Sequence, residues 1–364
     1  MTTDPMSGQL QQRVRERLDE WVAAGASPGL QHTTVHRSGE CITHAVGFAD
    51  VGARTALTAT TRLMAYSMSK TVTAAAVLKL AAAGRLGLDD PAERYVDVPY
   101  GPAVTVRRLL CHTAGLRNPI PLRWVHLPAQ HAAFDERAAL RAVVTRSAGL
   151  AAAPGTRFAY TNLGYWLLGA IVEACTQGPF ANYVERELLA PLGIGAHELG
   201  YSLDPADTAS GYLEKWSWLN LLKRFVIDSA YIDHYEGDRH EGSWLKIRAH
   251  YVDGPAFGGL IGTTAAFGTW LADLLGESRT LPRAARAWLF EQQHLTSGEP
   301  VSMTLGWHIG TLDGARHYFK EGGGGGFHSM MRLYPERGLG SIIIGNATGF
   351  RAGKALDELD RLSF

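Results

Sequence analysis

Ser67-Met68-Ser69-Lys70-Thr71-Val72-Thr73-Ala74-Ala75-Ala76-Val77-Leu78-Lys79-Leu80-Ala81-Ala82-Ala83-Gly84 is the stretch that decides how this chain is read. Its residues are strong helix formers, and Gly84 suits the C′ stop. Thr71 to Leu78 carries no charge. A helix apolar all round is a buried one, so the stretch predicts a helix in the middle of a domain. Ser67 and Lys70 would then share a face one turn apart. Ser67 would stand at the N-terminus, where unpaired N–H groups and the helix dipole favour negative charge. A buried helix that opens with a hydroxyl against a lysine is costly unless the lysine is used. The plainer reading, Ser67 as an N-cap and Lys70 on the surface, explains the serine but not the lysine.

Two further motifs follow in order. Tyr160-Thr161-Asn162 lies after a Pro154-Gly155 turn and before apolar residues at helical spacing. A helix is expected from about Leu163, with Tyr160 and Asn162 on the loop that feeds it. Alone, Asn162 reads as a helix cap. Lys320-Glu321-Gly322 lies in a run of predicted antiparallel strands. His317–Lys320 ends one strand, Phe327–Tyr334 forms the next and Gly340–Gly345 the third, with Pro335-Glu336-Arg337-Gly338 as the hairpin turn. The glycine run 322–326 sits between strands. A phosphate-binding loop would open a helix, so a nucleotide site is excluded. Glycines there let another backbone or a substrate approach closely.

With these motifs the chain resembles the serine β-lactamase/penicillin-binding-protein superfamily, in the branch of class C β-lactamases, D,D-carboxypeptidases and family VIII carboxylesterases. Leu109–Leu116 (LLCHTAGL), Gly258–Leu275 (GGLIGTTAAFGTWLADLL) and Gly326–Gly340 (GFHSMMRLYPERGLG) are similar to linking segments of that family. The resemblance runs from about Pro28 to Asn346. It implies an α+β fold, an antiparallel β-sheet flanked by helices plus a mainly helical lobe. One catalytic unit, 1–364, would place 1–95 and 255–364 in the α/β lobe and 96–254 in the helical lobe. The site would lie between the lobes.

The resemblance also implies roles. Ser67 would be the nucleophile, Lys70 would hold or relay its proton, and Tyr160 would be the base or its partner. Asn162 would bond a substrate amide or the Lys70 side chain. Lys320 would bind a substrate anion and tune Tyr160. Gly322 completes the third motif, and the Gly323 N–H would join that of Ser67 in an oxyanion hole. The chemistry is sound for acyl transfer at a carbonyl. A lysine of pKa near 10.4 needs about 4–5 kcal/mol to act as a base at pH 7. Burial and mutual repulsion lower that for Lys70, and two ammonium groups are expected to favour a tyrosinate at Tyr160. The three groups would titrate together, which leaves the base unassigned between Lys70 and Tyr160. Penicillin-active relatives carry Thr or Ser where this chain has Glu321. An anion there would repel a carboxylate or neutralise Lys320, unless strand alternation turns it away.

Composition fits a water-soluble enzyme. The 364 residues are 46% hydrophobic, enough for a large core. Lys+Arg and Asp+Glu are 35 each, so no basic footprint suggests nucleic acid. No apolar run approaches the ~20 residues of a membrane span. The first residues read as an amphipathic helix without a signal-peptide core, and the expected location is cytoplasmic. Cys41, Cys111 and Cys175 are expected to be reduced, buried and inert. His112 is expected to be a structural hydrogen-bonder beneath the site. The aromatic stretch 214–253 reads equally as a pocket wall or lid, helical core or dimer contact. His234, Glu236, Asp238, His240 and Glu241 within it match no metal spacing, so no metal and no cofactor are expected. The expected function is a serine hydrolase forming an acyl-enzyme on small esters or amides, carboxylesterase-like. A β-lactamase, D,D-carboxypeptidase or D-aminopeptidase activity is the alternative, and a non-catalytic binding scaffold is the other.

Overall fold

The computed structural model describes residues 5–119, 124–214 and 244–364. The chain starts with α1 (Pro5–Ala23) and lays down β1 (Gly29–His36), β2 (Cys41–Asp50) and β3 (Thr55–Ala56). Short strands follow: β4 (Leu63–Met64), β5 (Val125–His126), β6 (Leu199–Gly200), β7 (Gly211–Glu214), β8 (Trp244–Ile247), β9 (Tyr251–Val252) and β10 (Ile261–Gly262). The main sheet resumes with β11 (His308–Leu312), β12 (Ala315–Gly324), β13 (Phe327–Tyr334) and β14 (Leu339–Gly345). Its order is β11-β12-β13-β14-β1-β2-β3, with every pairing antiparallel. The α+β fold expected from the sequence is therefore present.

Strand β14 shows why the sheet needs helices on both faces. Ile342 and Ile344 join the core under the helix Thr264–Leu275, while Ile343 joins a second core with Val14 and Leu18 of α1 and Leu356 and Leu359 of the helix Ala352–Leu362. The period of two sends alternate isoleucines to opposite sides, so a strand covered twice is apolar without a break. β14 bonds to β1 through Ile342↔Thr33, which brings the two ends of the chain into one sheet.

The quoted helix is α2 (Ser69–Ala82). Every residue from Ser69 to Leu78 is buried. Its hydroxyls are satisfied locally: Thr71 donates to Met68 O at 2.9 Å, Thr73 to Ala256 O at 2.7 Å, and Ser69 Oγ accepts the Leu260 N–H at 3.0 Å. Gly84, at φ +69°, ends the run in the left-handed conformation that suits glycine. Between the two parts of the sheet come α3 (Val106–Leu110), α4 (Pro128–His131), α5 (Glu136–Arg146), α6 (Asn162–Thr176) and α7 (Phe180–Val184). α6 packs directly on α2.

Several expectations change in detail. β12 does not stop at Lys320 but runs to Gly324, because Gly322, Gly323 and Gly324 stay in the ladder opposite Ser329, His328 and Phe327. Asn162 is the first residue of α6 rather than part of the preceding loop or a cap; Thr161 takes the cap position. The cysteines are unpaired, yet only Cys111 is buried; Cys41 opens β2 at the sheet's solvent end, and Cys175 is partly exposed. His234, Glu236, Asp238, His240 and Glu241 lie outside the described residues, as does most of the aromatic stretch. Among the described residues no cluster of metal-ligating side chains occurs, and no helix is long and apolar enough to cross a membrane.

Candidate active site

A 3₁₀ turn, Tyr66–Met68, leads into α2 and carries Ser67. Tyr66 holds φ +45°, an uncommon conformation for a bulky residue, worth about 1–3 kcal/mol of strain. The turn leaves Ser67 partly exposed between buried neighbours.

The Ser67 hydroxyl meets two of the expected partners. Lys70 Nζ lies 2.9 Å from Ser67 Oγ, and Tyr160 Oη donates to the same oxygen at 2.8 Å. Lys70 also donates to Asn162 Oδ1 at 2.8 Å and Phe257 O at 2.6 Å. This geometry serves both protonation states. An ammonium donates to all three oxygens. A neutral amine donates to the two carbonyls, which can only accept, and turns its lone pair to the Ser67 proton. Asn162 thus bonds the lysine, one of its two expected roles, and its own N–H is accepted by Asn118 Oδ1 at 3.1 Å.

Lys320 is 1% exposed and makes no hydrogen bond through Nζ among the described residues. It stands over the Tyr160 ring at 5.2 Å and the Tyr165 ring at 5.7 Å, and Lys70 stands at the same distances. Burial lowers Lys320 to about 7. Burial, helped by the Lys320 charge, drives Lys70 well below its ordinary value. Tyr160 departs from expectation. Burial pushes its phenol up, and the Ser67 hydrogen bond only partly opposes this. The low-dielectric site therefore favours neutral amines and a protonated phenol over a tyrosinate.

His112 is fully buried, its ring 4.4 Å from Tyr160 and 5.1 Å from Tyr165. Its Nδ1 accepts the Thr161 N–H at 3.3 Å, which fits the expected supporting place beneath the site. Burial, then Lys320 and Lys70, hold it well below the usual histidine range.

Glu321 turns away from Lys320. Its carboxylate is half exposed and lies 3.0 Å from His328 Nε2, whose hydrogen bond keeps it below the usual carboxylate range. Lys320 and Gly322 face the other side of the strand. There a Cβ on Gly322 would meet Ala65 O at 2.2 Å. Glu321 therefore does not neutralise Lys320.

Ser67 opens into a cavity of about 340 Å³. Its walls are apolar: Trp124, Val125, Leu213, Ile247, Val252 and Phe257. Its polar edge carries Asn162, His250, His328, the strand end Gly323–Gly324 and Gly325 just beyond it. Gly323 thus shares the cavity with Ser67, and Lys70, Tyr160 and Lys320 adjoin Ser67 or one another without being in the cavity lining. Ile247, His250 and Val252 come from the described end of the aromatic stretch and form wall, one of its expected roles. Trp124, His328 and Phe257 were not legible beforehand; they come from separate segments that no spacing rule connects. Tyr66 could have been noticed, since it adjoins Ser67.

The model of the Beta-lactamase family matches residues 10–363. Protein flp of Staphylococcus aureus (strain MW2) is 22% identical over 370 residues, covering 96% of this chain and 66% of that protein. The chain thus spans just under two thirds of that relative's length. The octameric penicillin-binding protein homologue from Pyrococcus abyssi superimposes with a TM-score of 0.78 at 22% identity, over 97% of this chain and 77% of the other. The D-amino acid amidase from Ochrobactrum anthropi SV3, complexed with D-phenylalanine, gives 0.76 at 19% identity over 98% and 99%. The chain belongs to the beta-lactamase family of serine hydrolases and penicillin-binding proteins.

Proposed function

We propose, with that membership as the premise, that the protein is a carboxylesterase-like serine hydrolase acting on small uncharged esters or amides through an acyl group on Ser67. One observation carries the reading: Ser67 Oγ lies between Lys70 Nζ at 2.9 Å and Tyr160 Oη at 2.8 Å, at the floor of an apolar cavity. Neutral Lys70 takes the Ser67 proton as Oγ attacks the carbonyl carbon. The N–H groups of Ser67 and Gly323 receive the oxyanion, each such donor being worth roughly 3–4 kcal/mol. Tyr160, a protonated phenol on the same oxygen, passes a proton to the leaving group and is resupplied from Lys70. Water then reverses the sequence on the ester. The sheet with its helices and the helical middle of the chain act as two lobes of this one unit.

The preference for uncharged substrates rests on Lys320. Its Nζ is buried over the Tyr160 ring and is not in the cavity lining, so among the described residues a substrate carboxylate meets no lysine or arginine there. The second reading, hydrolysis of D-amino-acid amides, draws on the likeness to the amidase and on the aromatic wall Trp124–Phe257, where ring centroids lie 5.7 Å apart.

A fluorophosphonate probe and a panel of p-nitrophenyl esters, nitrocefin and D-amino-acid amides test the proposal. Labelling should fall on Ser67 and vanish in Ser67→Ala, with neutral esters turned over fastest. Fast nitrocefin hydrolysis would favour the β-lactamase reading, amide preference the amidase reading, and an unlabelled wild type a binding scaffold.

A further inference from the structure

We infer that Tyr66 is a positioning residue that sets the Ser67 hydroxyl against the Gly323 strand, and that Gly322 and Gly324 are the glycines that make room for its turn. The inference rests on the hydrolase reading above. Four observations converge on it. Tyr66 immediately precedes Ser67 and holds φ +45°, so its backbone fixes the direction in which the serine leaves the turn. Its turn presses close on the strand: a Cβ on Gly324 would meet the ring at 2.4 Å, and one on Gly322 would meet Ala65 O at 2.2 Å. Both positions must be glycine for the turn to lie this close. The Tyr66 hydroxyl then ties the turn just past the strand, donating to Gly325 O at 2.7 Å. His250 Nε2 stands 3.1 Å from that hydroxyl, and His250 Nδ1 is held by Arg248 O at 2.9 Å.

Tyr66 therefore bridges the two halves of the site. Its backbone sets the nucleophile, and its ring and hydroxyl hold Gly324 and Gly325, which follow the Gly323 whose N–H is placed to receive the oxyanion. Acyl transfer needs these two halves in fixed register, and a misplacement of about 1 Å can cost roughly 10²-fold. The phenol has no part in proton transfer: burial raises it far above the ordinary tyrosine range, and it contacts none of Ser67 Oγ, Lys70 Nζ or Tyr160 Oη.

Tyr66→Phe keeps the ring and deletes the hydroxyl with its bonds to Gly325 O and His250 Nε2. It should lower kcat for a neutral p-nitrophenyl ester, and the rate of fluorophosphonate labelling, about 10- to 100-fold, with KM changed less than about threefold and Tm lowered by only a few degrees. Tyr66→Leu should lose more than Tyr66→Phe, since it also removes the ring from its bed. Wild-type kcat in Tyr66→Phe would overturn the inference. A loss confined to KM would also overturn it, by making Tyr66 a substrate contact. Failure is separable from that of the hydrolase reading: if wild type itself neither labels nor turns over, that reading falls and takes the inference with it. A fully active wild type with an equally active Tyr66→Phe sinks the inference alone.

Discussion

Replacing Lys320 by Met should make the protein more stable at neutral and acid pH. Lys320 is buried, unpartnered among the described residues, and lowered to about 7 from 10.5 by burial alone. For such a group the unfolded chain keeps the proton between about pH 7 and 10.5 while the native protein releases it. Native stability therefore rises with pH through that window. Below pH 7 both states are protonated and the whole penalty applies, roughly 3.5 pKa units at 1.36 kcal/mol each, or about 5 kcal/mol. Between pH 6 and pH 9 about 2–3 kcal/mol of it is relieved. Met fills a similar volume with a flexible apolar chain and carries no charge. Lys320→Met should thus gain several kcal/mol over wild type at pH 6, and the gap should narrow by about 2–3 kcal/mol at pH 9. Urea unfolding at both pH values, with m checked for constancy, measures this. Repeating the pair on a Lys70→Met background takes the other buried lysine out of the comparison. Two stability curves that run parallel from pH 6 to pH 9 would refute the reasoning, as would a Met variant weaker at pH 6. Turnover should fall while stability rises, the trade expected where a site holds a destabilised group for use.

Other outcomes test the remaining parts. Lys70→Ala and Tyr160→Phe should each lower kcat about 10²-fold or more, and the double variant should be little worse than either; strictly additive losses would show that they share no proton path. Glu321→Thr should leave nitrocefin and ester turnover within about twofold, because Glu321 pairs with His328 on a half-exposed face; a tenfold rise with nitrocefin would put the carboxylate back in the cavity. Arg332→Ala removes the counter-ion of buried Asp360, whose carboxylate lies 3.1 Å from Arg332 Nη1 and accepts from Tyr334 Oη at 2.7 Å. It should lose about 3–5 kcal/mol by calorimetry, and an unchanged Tm would show that the pair contributes nothing.

The elements that could be read from the sequence are those whose local pattern and tertiary burial agree. α2 is one, since an uncharged helix former has nowhere to go but the core. The hairpin from Phe327 to Gly345 is another, with alternating strands around a Pro-Glu-Arg-Gly turn. Glycine misled the reading of β12: its low strand propensity suggested a loop, but the strand persists because Ala65 and Tyr66 occupy the space of side chains. The side that Glu321 faces needed the register with β13. The tyrosinate expectation weighed two nearby charges and left out the burial of the phenol itself, which disfavours the phenolate as it disfavours the charge on the lysines. The cavity wall was illegible because Trp124, Leu213, Ile247 and Phe257 are neighbours only after folding.

The tie between Tyr66 and Gly325 spans 259 residues of chain, which has a consequence for biosynthesis. At translation speeds of about 5–20 residues per second, the turn bearing Ser67 leaves the ribosome roughly 13–50 s before the strand that must receive it. Through much of that interval the largely apolar α2 lacks Pro255–Gly258 and Arg283–Phe290, two later helices that pack on it. Nascent chains of this length expose an aggregation-prone segment until β14 slots in beside β1. Yield in a foreign host should therefore respond to slower synthesis, lower temperature or added holdase chaperone more than to any change in the surface of the finished molecule.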